Sequence, residues 1–337
     1  MIFAPRMRAL ARRRCGGSAA LVAVMLVAPA WAAPLELEAK IPLGQVRGRI
    51  DHLAIDVARQ RLFVAELGND TVGVVDLAHR AVLQTLGGLH EPQGVGYEPT
   101  TDTLYVANAG DGAVQLYQGA DLTPAGRIEL GDDADNVRID ASANQVIVGY
   151  GSGALAIIDP VARKKIADIK LKGHPESFQI STDGSQGFVN VPGAHEIAAV
   201  SFAQGRQTAA WAPGLLLSNY PMTLDRTADR IHVVFRHPAT LAAFDAQSGK
   251  KLYSLETCGD SDDVFFDSKR SRAYVSCGEG MIEVISDQGK NYVRDAKLAT
   301  VSGARTSLFV PELDRYFLAV RANGQEPAAV WIFKPTP

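Results

Sequence analysis

Short alternating runs of apolar and polar residues, separated by turns rich in glycine and aspartate, fill the chain after residue 33. The segment 103–119, TLYVANAGDGAVQLYQG, shows the pattern most clearly, with a Gly-Asp-Gly turn between two alternating runs. Alternation with a period of two predicts strands, and a short glycine-rich connection between two such runs predicts a β-hairpin. The chain is therefore expected to be all-β.

The hairpin pattern recurs seven times at nearly constant spacing. The central residues of the equivalent runs are Val64, Val106, Val148, Val189, Val233, Val275 and Leu318. Successive centres are 42, 42, 41, 44, 42 and 43 residues apart. A repeat of ~40–50 residues with four short strands is typical of one blade of a β-propeller, in which neighbouring blades bury each other's faces. The sequence predicts a single seven-bladed β-propeller domain over residues 33–337.

The last repeat lacks a fourth strand, because the chain ends at Pro337 shortly after the third strand. The segment 35–43, LELEAKIPL, alternates correctly and precedes the first repeat. We expect this segment to pair with the strand that ends near Phe333. Such pairing closes the ring of blades and removes two exposed sheet edges.

Residues 1–32 have the features of a secretory signal peptide. Five arginines precede an apolar run at 19–27, and Ala30-Trp31-Ala32 supplies the small residues of a cleavage site near Ala32. The apolar run is much shorter than the about 20 residues that a membrane span needs. The sequence predicts a periplasmic or secreted protein without a membrane span.

The charge changes when the predicted signal peptide is set aside. The full chain has 34 basic and 37 acidic residues; without the five arginines of residues 1–32, 29 basic residues face 37 acidic ones, a formal charge of −8. An overall negative field disfavours nucleic acid as a partner. Small molecules, cations and other proteins remain as candidate partners, and the protein is expected to be a monomer.

Two cysteines, Cys258 and Cys277, follow residue 32. Both fall at the same end of the sixth repeat, one before its first strand and one at the end of its second strand. An oxidising compartment favours their pairing, so a disulfide is predicted. Their spacing is not that of a C-x-x-C redox motif.

Polar residues are concentrated in the segments that lead into the first strand of each repeat. In a propeller these segments surround one end of the central channel, so their side chains are expected to converge there. The predicted ligand-binding residues are Asp51, His52, Glu91, Gln93, Asp135, Asn136, His174, Glu176, Asn219, Asp262, Asp263 and Arg305. A bound cation, or hydration with raised pKa values, would relieve the repulsion between so many carboxylates.

One hypothesis is that the channel end binds Ca²⁺ or a similar divalent cation, which prefers oxygen ligands. Its predicted ligands are Asp51, Glu91, Asp135, Glu176 and Asp262. The alternative is that these side chains cap the first strands and join neighbouring blades around a hydrated channel. No catalytic residue is assigned, because C-x-x-C-H, H-E-x-x-H and G-x-S-x-G are all absent from the sequence.

The segments LYVANAGDGAVQLY and LFVAELGNDTVGVVD resemble the YVTN-repeat, YncE-like β-propellers of bacteria, and the resemblance extends over essentially the whole chain after residue 32. The segments 173–178, GHPESF, and 303–315, GARTSLFVPELDR, resemble a periplasmic subgroup of these proteins. The resemblance implies the propeller fold and a binding or scaffold role, and it implies no particular activity.

The favoured functional hypothesis is a periplasmic binding or scaffold protein that holds a small ligand, a cation or a partner's loop at the acidic channel mouth and performs no chemistry. A metal-dependent, lactonase-like hydrolase is the first alternative, by analogy with six-bladed lactonases that use a central metal. The second alternative is an accessory protein of a periplasmic redox or metal system. The hydrolase hypothesis predicts that Glu176→Gln abolishes metal binding and turnover, whereas the other two predict tolerance.

Overall fold

The structure is a computed structural model that describes residues 1–4, 33–324 and 326–337. Within these residues, strands form seven four-stranded antiparallel sheets, and residues 33–337 make one compact unit. This arrangement is a seven-bladed β-propeller, so the predicted fold class is confirmed. The predicted signal peptide lies almost wholly outside the described residues.

Six blades are built from four consecutive strands, and the seventh combines both ends of the domain. Blade one has β2 (Leu53–Asp56), β3 (Arg61–Glu66), β4 (Thr71–Asp76) and β5 (Ala81–Leu86). Blade two has β6 (Pro92–Glu98), β7 (Thr103–Asn108), β8 (Ala113–Gln118) and β9 (Thr123–Glu129). Blade three has β10 (Ala134–Asp140), β11 (Gln145–Tyr150), β12 (Ala154–Asp159) and β13 (Lys164–Lys170). Blade four has β14 (Phe178–Ile180), β15 (Gln186–Val191), β16 (Glu196–Ser201) and β17 (Arg206–Trp211).

The remaining blades follow the same order from the channel outwards. Blade five has β18 (Leu217–Asp225), β19 (Arg230–His237), β20 (Ala239–Asp245) and β21 (Lys251–Glu256). Blade six has β22 (Ser261–Asp267), β23 (Arg272–Cys277), β24 (Met281–Asp287) and β25 (Tyr292–Ala299). Blade seven has β26 (Thr306–Val310), β27 (Arg315–Val320), β28 (Ala329–Pro335) and β1 (Leu35–Pro42). Two short 3₁₀ turns lie at Leu67–Asn69 and Pro192–Ala194.

The N-terminal strand closes the ring as predicted. β1 pairs antiparallel with β28, and Leu37 lies opposite Phe333 in the register. Leu35 and Ile41 of β1 are almost fully buried, whereas Leu37 is exposed. A register shift between Leu37 and Ala39 interrupts the alternation of β1. Leu35 therefore packs with Phe333 in one core cluster, and Ile41 packs with Ile332 in another.

The core lies between adjacent blades. One hydrophobic cluster, for example, joins Tyr105 and Leu116 of blade two to Val137 and Val148 of blade three. The second and third strands of each blade carry continuous apolar runs because neighbouring blades cover both of their faces. The outermost strands alternate instead, as in β5, because one of their faces meets water. Each first strand is thereby held against the channel, which positions the residues that precede it.

The predicted disulfide is confirmed. Cys258 and Cys277 are bonded, with their Cα atoms 5.9 Å apart, and both residues are buried. Within the described residues, no helix is both long and apolar enough to cross a membrane.

Candidate functional site

One equivalent residue from each blade surrounds a cavity at the end of the central channel. In each blade, one residue of the first strand pairs with the central residue of the second strand, as Val137 pairs with Val148 in blade three. The residue that lines the cavity lies two positions before that first-strand residue, as Asp135 lies before Val137. The seven residues, here called the ring, are Asp51, Gln93, Asp135, Glu176, Tyr220, Asp262 and Arg305. The space that they enclose, here called the mouth cavity, has a volume of about 330 Å³.

Two arginines share one carboxylate on one side of the mouth cavity. Nη2 of Arg236 lies 2.6 Å from Oδ1 of Asp262, and Nε of Arg305 lies 2.8 Å from Oδ2 of the same residue. Arg305 also contacts Asp260 at 2.6 Å. The Arg236 guanidinium lies over the Tyr220 ring, 3.9 Å from its centroid, which holds it by a cation–π contact.

A third arginine, Arg49, pairs with a ring carboxylate on the other side of the cavity. Its Nη2 atom lies 2.7 Å from Oδ2 of Asp51. Each arginine that lines the mouth cavity therefore already has a carboxylate partner, and little positive charge is left for an anionic ligand.

His174 lies beside two carboxylates at the rim of the cavity. Its Nδ1 atom lies 2.7 Å from the carbonyl oxygen of Gly151, which accepts the proton of that nitrogen, and 3.4 Å from Oδ2 of Asp133. Burial by itself would lower the pKa of His174, but Asp135, the Gly151 carbonyl and Asp133 outweigh burial and raise the pKa to about 9. His174 is therefore a cation at neutral pH.

His52 forms the floor of the mouth cavity. Its Nε2 atom lies 3.8 Å from Oδ1 of Asp51 and 3.9 Å from Oδ1 of Asp135, while its Nδ1 atom lies 3.8 Å from Oδ1 of Asp263. Burial lowers the pKa of His52, and the three carboxylates reverse this effect and leave the pKa raised. His52 also lines a second cavity of about 310 Å³, most of whose lining residues are apolar.

The backbones of blades two and three approach closely beside the mouth cavity. At Gly94, a β-carbon would lie 1.8 Å from the carbonyl oxygen of Asp135. Any other residue at this position would push blades two and three apart, so glycine is required by the close approach of the backbones.

The ring carboxylates differ in how readily they ionise. Burial, together with the negative charge of Asp135, raises the pKa of Glu176 to about 7. Burial also raises the pKa of Asp51 to about 6, although His52 and Arg49 oppose the rise. Burial acts on Asp135 too, but His174, His52 and Arg49 together lower its pKa. Asp135 is thus ionised more readily than Asp51 and Glu176.

Several acceptors that line the cavity receive no hydrogen bond from the part of the chain that the structure describes. Oδ1 of Asp135 and Oδ1 of Asn136 are buried, and no described residue donates a hydrogen bond to either atom. Glu176 likewise has no hydrogen bond or ion pair to its carboxylate among the described contacts, although it lines the cavity. Buried acceptors of this kind are normally satisfied by water or by a ligand.

The structure brings most of the predicted site residues together. The predicted residues that line the mouth cavity are Asp51, His52, Gln93, Asp135, Asn136, His174, Glu176, Asp262 and Arg305. Asp263 lies below them and lines the second cavity. Glu91 is exposed and lies outside the lining of the mouth cavity. Asn219 is buried and donates hydrogen bonds to Oδ1 of Asn190 and to the carbonyl of Glu196, so it joins blades four and five.

Five lining residues were not in the predicted set: Arg49, Asp133, Ser177, Tyr220 and Arg236. Tyr220 could have been found by applying the two-residue offset to all seven repeats, because it is the blade-five counterpart of Asp135. Arg236 comes from the end of β19, and only the fold brings it beside Asp262.

The five predicted calcium ligands do not form a compact ligand group in the structure. Among the described residues at the mouth, no three carboxylates or histidines have ligand atoms within 4.8 Å of one another. Glu91 is also separate from the other four predicted ligands, because it does not line the cavity. Calcium binding at the mouth stays a prediction.

Comparison with known proteins supports the fold. No protein-family model matches the chain, and no curated protein matches it in sequence. Among solved structures, it is similar to a chain of hydrazine synthase from Kuenenia stuttgartiensis, with a TM-score of 0.71 and 16% sequence identity. The match covers 82% of this chain and 94% of the other. At this identity the similarity shows the β-propeller architecture alone.

Proposed function

We propose that this protein is an extracytoplasmic binding protein whose mouth cavity holds a small, positively charged ligand that donates hydrogen bonds. The observation that carries the proposal is a set of acceptors to which no described residue donates a hydrogen bond, namely Oδ1 of Asp135, Oδ1 of Asn136 and the carboxylate of Glu176. The arginines of the cavity already have carboxylate partners. A ligand would therefore gain more by supplying donors than by supplying negative charge.

The volume of the cavity limits the size of the ligand. About 330 Å³ corresponds to about ten non-hydrogen atoms at the ~30 Å³ that a water molecule occupies in the liquid. Protonated primary amines small enough to fit this volume, such as ethanolamine and putrescine, combine positive charge with several donors. The Tyr220 ring, beside Arg236, adds a flat face on one wall.

An extracytoplasmic location is part of the proposal. It rests on the buried disulfide between Cys258 and Cys277, because such bonds persist in oxidising compartments. The arginine-rich start and short apolar run of residues 1–32 point to the same location.

Thermal melts with a panel of ligands test the proposal. Millimolar putrescine or ethanolamine should raise the melting temperature of the native chain, because a ligand that binds only the folded state stabilises it. Glu176→Gln should abolish the shift. Glu91→Gln should retain it, since Glu91 carries the same charge but lies outside the cavity.

The same panel includes acetate, phosphate and calcium chloride. If anions raise the melting temperature and amines do not, the paired arginines open to bind negative charge and the proposal is wrong. A shift with calcium alone would favour the metal-dependent hydrolase hypothesis instead, and the loss of that shift in Glu176→Gln would place the calcium in the mouth cavity.

A further inference from the structure

A second group of ionisable side chains lies between blades five and six, outside the mouth cavity. Asp225 ends β18, His232 lies in β19, and Asp287 ends β24. One potential ligand atom from each lies within 4.8 Å of the other two. Asp225 is at the opposite end of β18 from Tyr220, so this group is separate from the ring.

The imidazole of His232 is wholly buried and only half satisfied. Its Nδ1 atom shares a hydrogen bond with the hydroxyl of Tyr292, and its ring stacks on Phe266 with centroids 4.8 Å apart. Its Nε2 atom has no hydrogen-bond partner among the described residues, although it lies 3.8 Å from Oδ2 of Asp287. Burial lowers the pKa of His232 to about 4, so the imidazole is neutral at pH 7.

In blade six, the residue equivalent to His232 has its polar side-chain atom paired in a hydrogen bond. Tyr274 occupies the place of His232, and its hydroxyl donates a hydrogen bond of 2.7 Å to Asp267, the counterpart of Asp225. No such bond joins His232 to Asp225 among the described contacts. Leaving a buried polar atom unpaired costs about 1–3 kcal/mol, which calls for a partner at this nitrogen.

Both carboxylates are oriented by hydrogen bonds to Oδ1, and Oδ2 of Asp287 also accepts one from Nη1 of Arg230 at 3.0 Å. Oδ1 of Asp225 accepts hydrogen bonds from the backbone and hydroxyl of Thr227 and from the backbone of Ala228. Oδ1 of Asp287 accepts them from the Tyr253 hydroxyl and the Gly289 backbone. Neighbouring contacts of this kind commonly orient the ligands of a metal ion.

We propose that Asp225, His232 and Asp287 bind one divalent transition-metal ion, for which zinc is the best match. One imidazole nitrogen with carboxylate oxygens suits zinc better than calcium, which prefers oxygen alone. Two ligand atoms of a tetrahedral zinc ion lie about 3.4 Å apart. The 3.8 Å between Nε2 of His232 and Oδ2 of Asp287 is close to this separation.

The local charge permits a dication. Arg230 lies 3.0 Å from Oδ2 of Asp287 and offsets one of the two carboxylate charges. The group keeps one net negative charge, and the neutral imidazole adds none. A zinc ion would tie blade five to blade six and satisfy the free nitrogen of His232. This site is independent of the ligand proposed for the mouth cavity.

Metal analysis of the untagged full chain tests the proposal. After incubation with zinc and removal of free metal, the native chain should retain about one zinc ion per molecule by elemental analysis. His232→Phe should retain none, and it should still fold, because Phe63, Phe188 and Phe317 occupy the same position in blades one, four and seven. Glu176→Gln, the control at the mouth cavity, should retain zinc like the native chain.

Replacement of zinc by cobalt provides a second measurement, the visible absorption of the bound metal, in addition to the number of zinc ions per molecule. The native chain with cobalt should show a visible absorption band typical of a site with nitrogen and oxygen ligands, and both His232→Phe and Asp225→Asn should lose the band. Asp225→Asn keeps an acceptor for Thr227, so it serves if His232→Phe fails to fold. A native chain that retains no zinc, or a folded His232→Phe chain that binds as much zinc as the native one, would overturn the proposal.

Discussion

Nε2 of His52 faces Oδ1 of Asp135 at 3.9 Å across the floor of the mouth cavity, too far for a direct hydrogen bond. Asp135 lies between His52 and His174, which lower its pKa, whereas burial and the charge of Asp135 raise the pKa of Glu176. Equivalent positions in two adjacent blades therefore carry carboxylates with opposite tendencies to ionise. The cavity therefore contains one carboxylate, Asp135, that is ionised at neutral pH, and a second carboxyl group, Glu176, that titrates near neutral pH.

Asp262→Asn should invert the charge preference of the mouth cavity. Asp262 is the shared partner of Arg236 and Arg305, so its neutralisation frees positive charge next to Tyr220. We expect the variant to be stabilised by phosphate in a thermal melt and to lose its response to amines. Asp133→Asn, which removes a carboxylate from the rim without freeing an arginine, is the control. Equal responses to phosphate in both variants would contradict the prediction.

The free energy of unfolding should fall as pH rises from about 6.5 to about 9 because of His174. Its pKa is raised to about 9 in the folded state, so the folded state binds more protons than the unfolded state in this window. The stabilisation is complete below the unfolded pKa of ~6.5 and is lost as pH passes through the folded value. Urea unfolding at several pH values should show a flatter profile for His174→Gln.

The exposed His90 supplies the control for this experiment. His90→Gln should leave the pH profile of the native chain unchanged. A His174→Gln profile as steep as that of the native chain between pH 6.5 and 9 would mean that His174 gains no proton affinity on folding.

Loss of packing in the closing strand should destabilise the whole propeller. Ile41 is fully buried in β1, so Ile41→Ala should lower the free energy of unfolding by about 2–5 kcal/mol. Leu37→Ala in the same strand should change it by less than about 0.5 kcal/mol, because Leu37 is exposed. Denaturant titration measures both. Deletion of residues 33–43 should lower the melting temperature further, since it uncovers β28, and an unchanged melt would refute closure by β1.

Removal of the disulfide should lower stability moderately. Replacing Cys258 and Cys277 by serine opens a loop with a sequence separation of 19 residues. The chain-entropy model assigns roughly 3 kcal/mol to a loop of this length. Denaturant titration of the native chain with and without reductant, beside the double variant, measures the effect. The double variant should be insensitive to reductant, and a native chain equally insensitive would contradict the prediction.

Local patterns determined the fold and its closure. The alternation in Thr103–Gly119, the spacing of the repeat centres and the matching alternation in Leu35–Leu43 each depend on residues close in sequence. Strand pairing within a blade follows from such neighbours, because the pleat places every second residue on the same face. The pairing of Cys258 with Cys277 followed in the same way, because both lie within one repeat.

Tertiary structure decided which polar residues meet. Glu91 and Gln93 are two residues apart, but only Gln93 belongs to the ring, because Gln93 lies in β6 whereas Glu91 precedes the strand with a left-handed backbone (φ 49°). Arg236 reaches Asp262 from a different blade, and Nε2 of His232 faces Asp287 across a boundary between blades. Such contacts join residues tens of positions apart. Their geometry depends on how the blades pack around the channel, and the pattern of any single repeat carries no information about it.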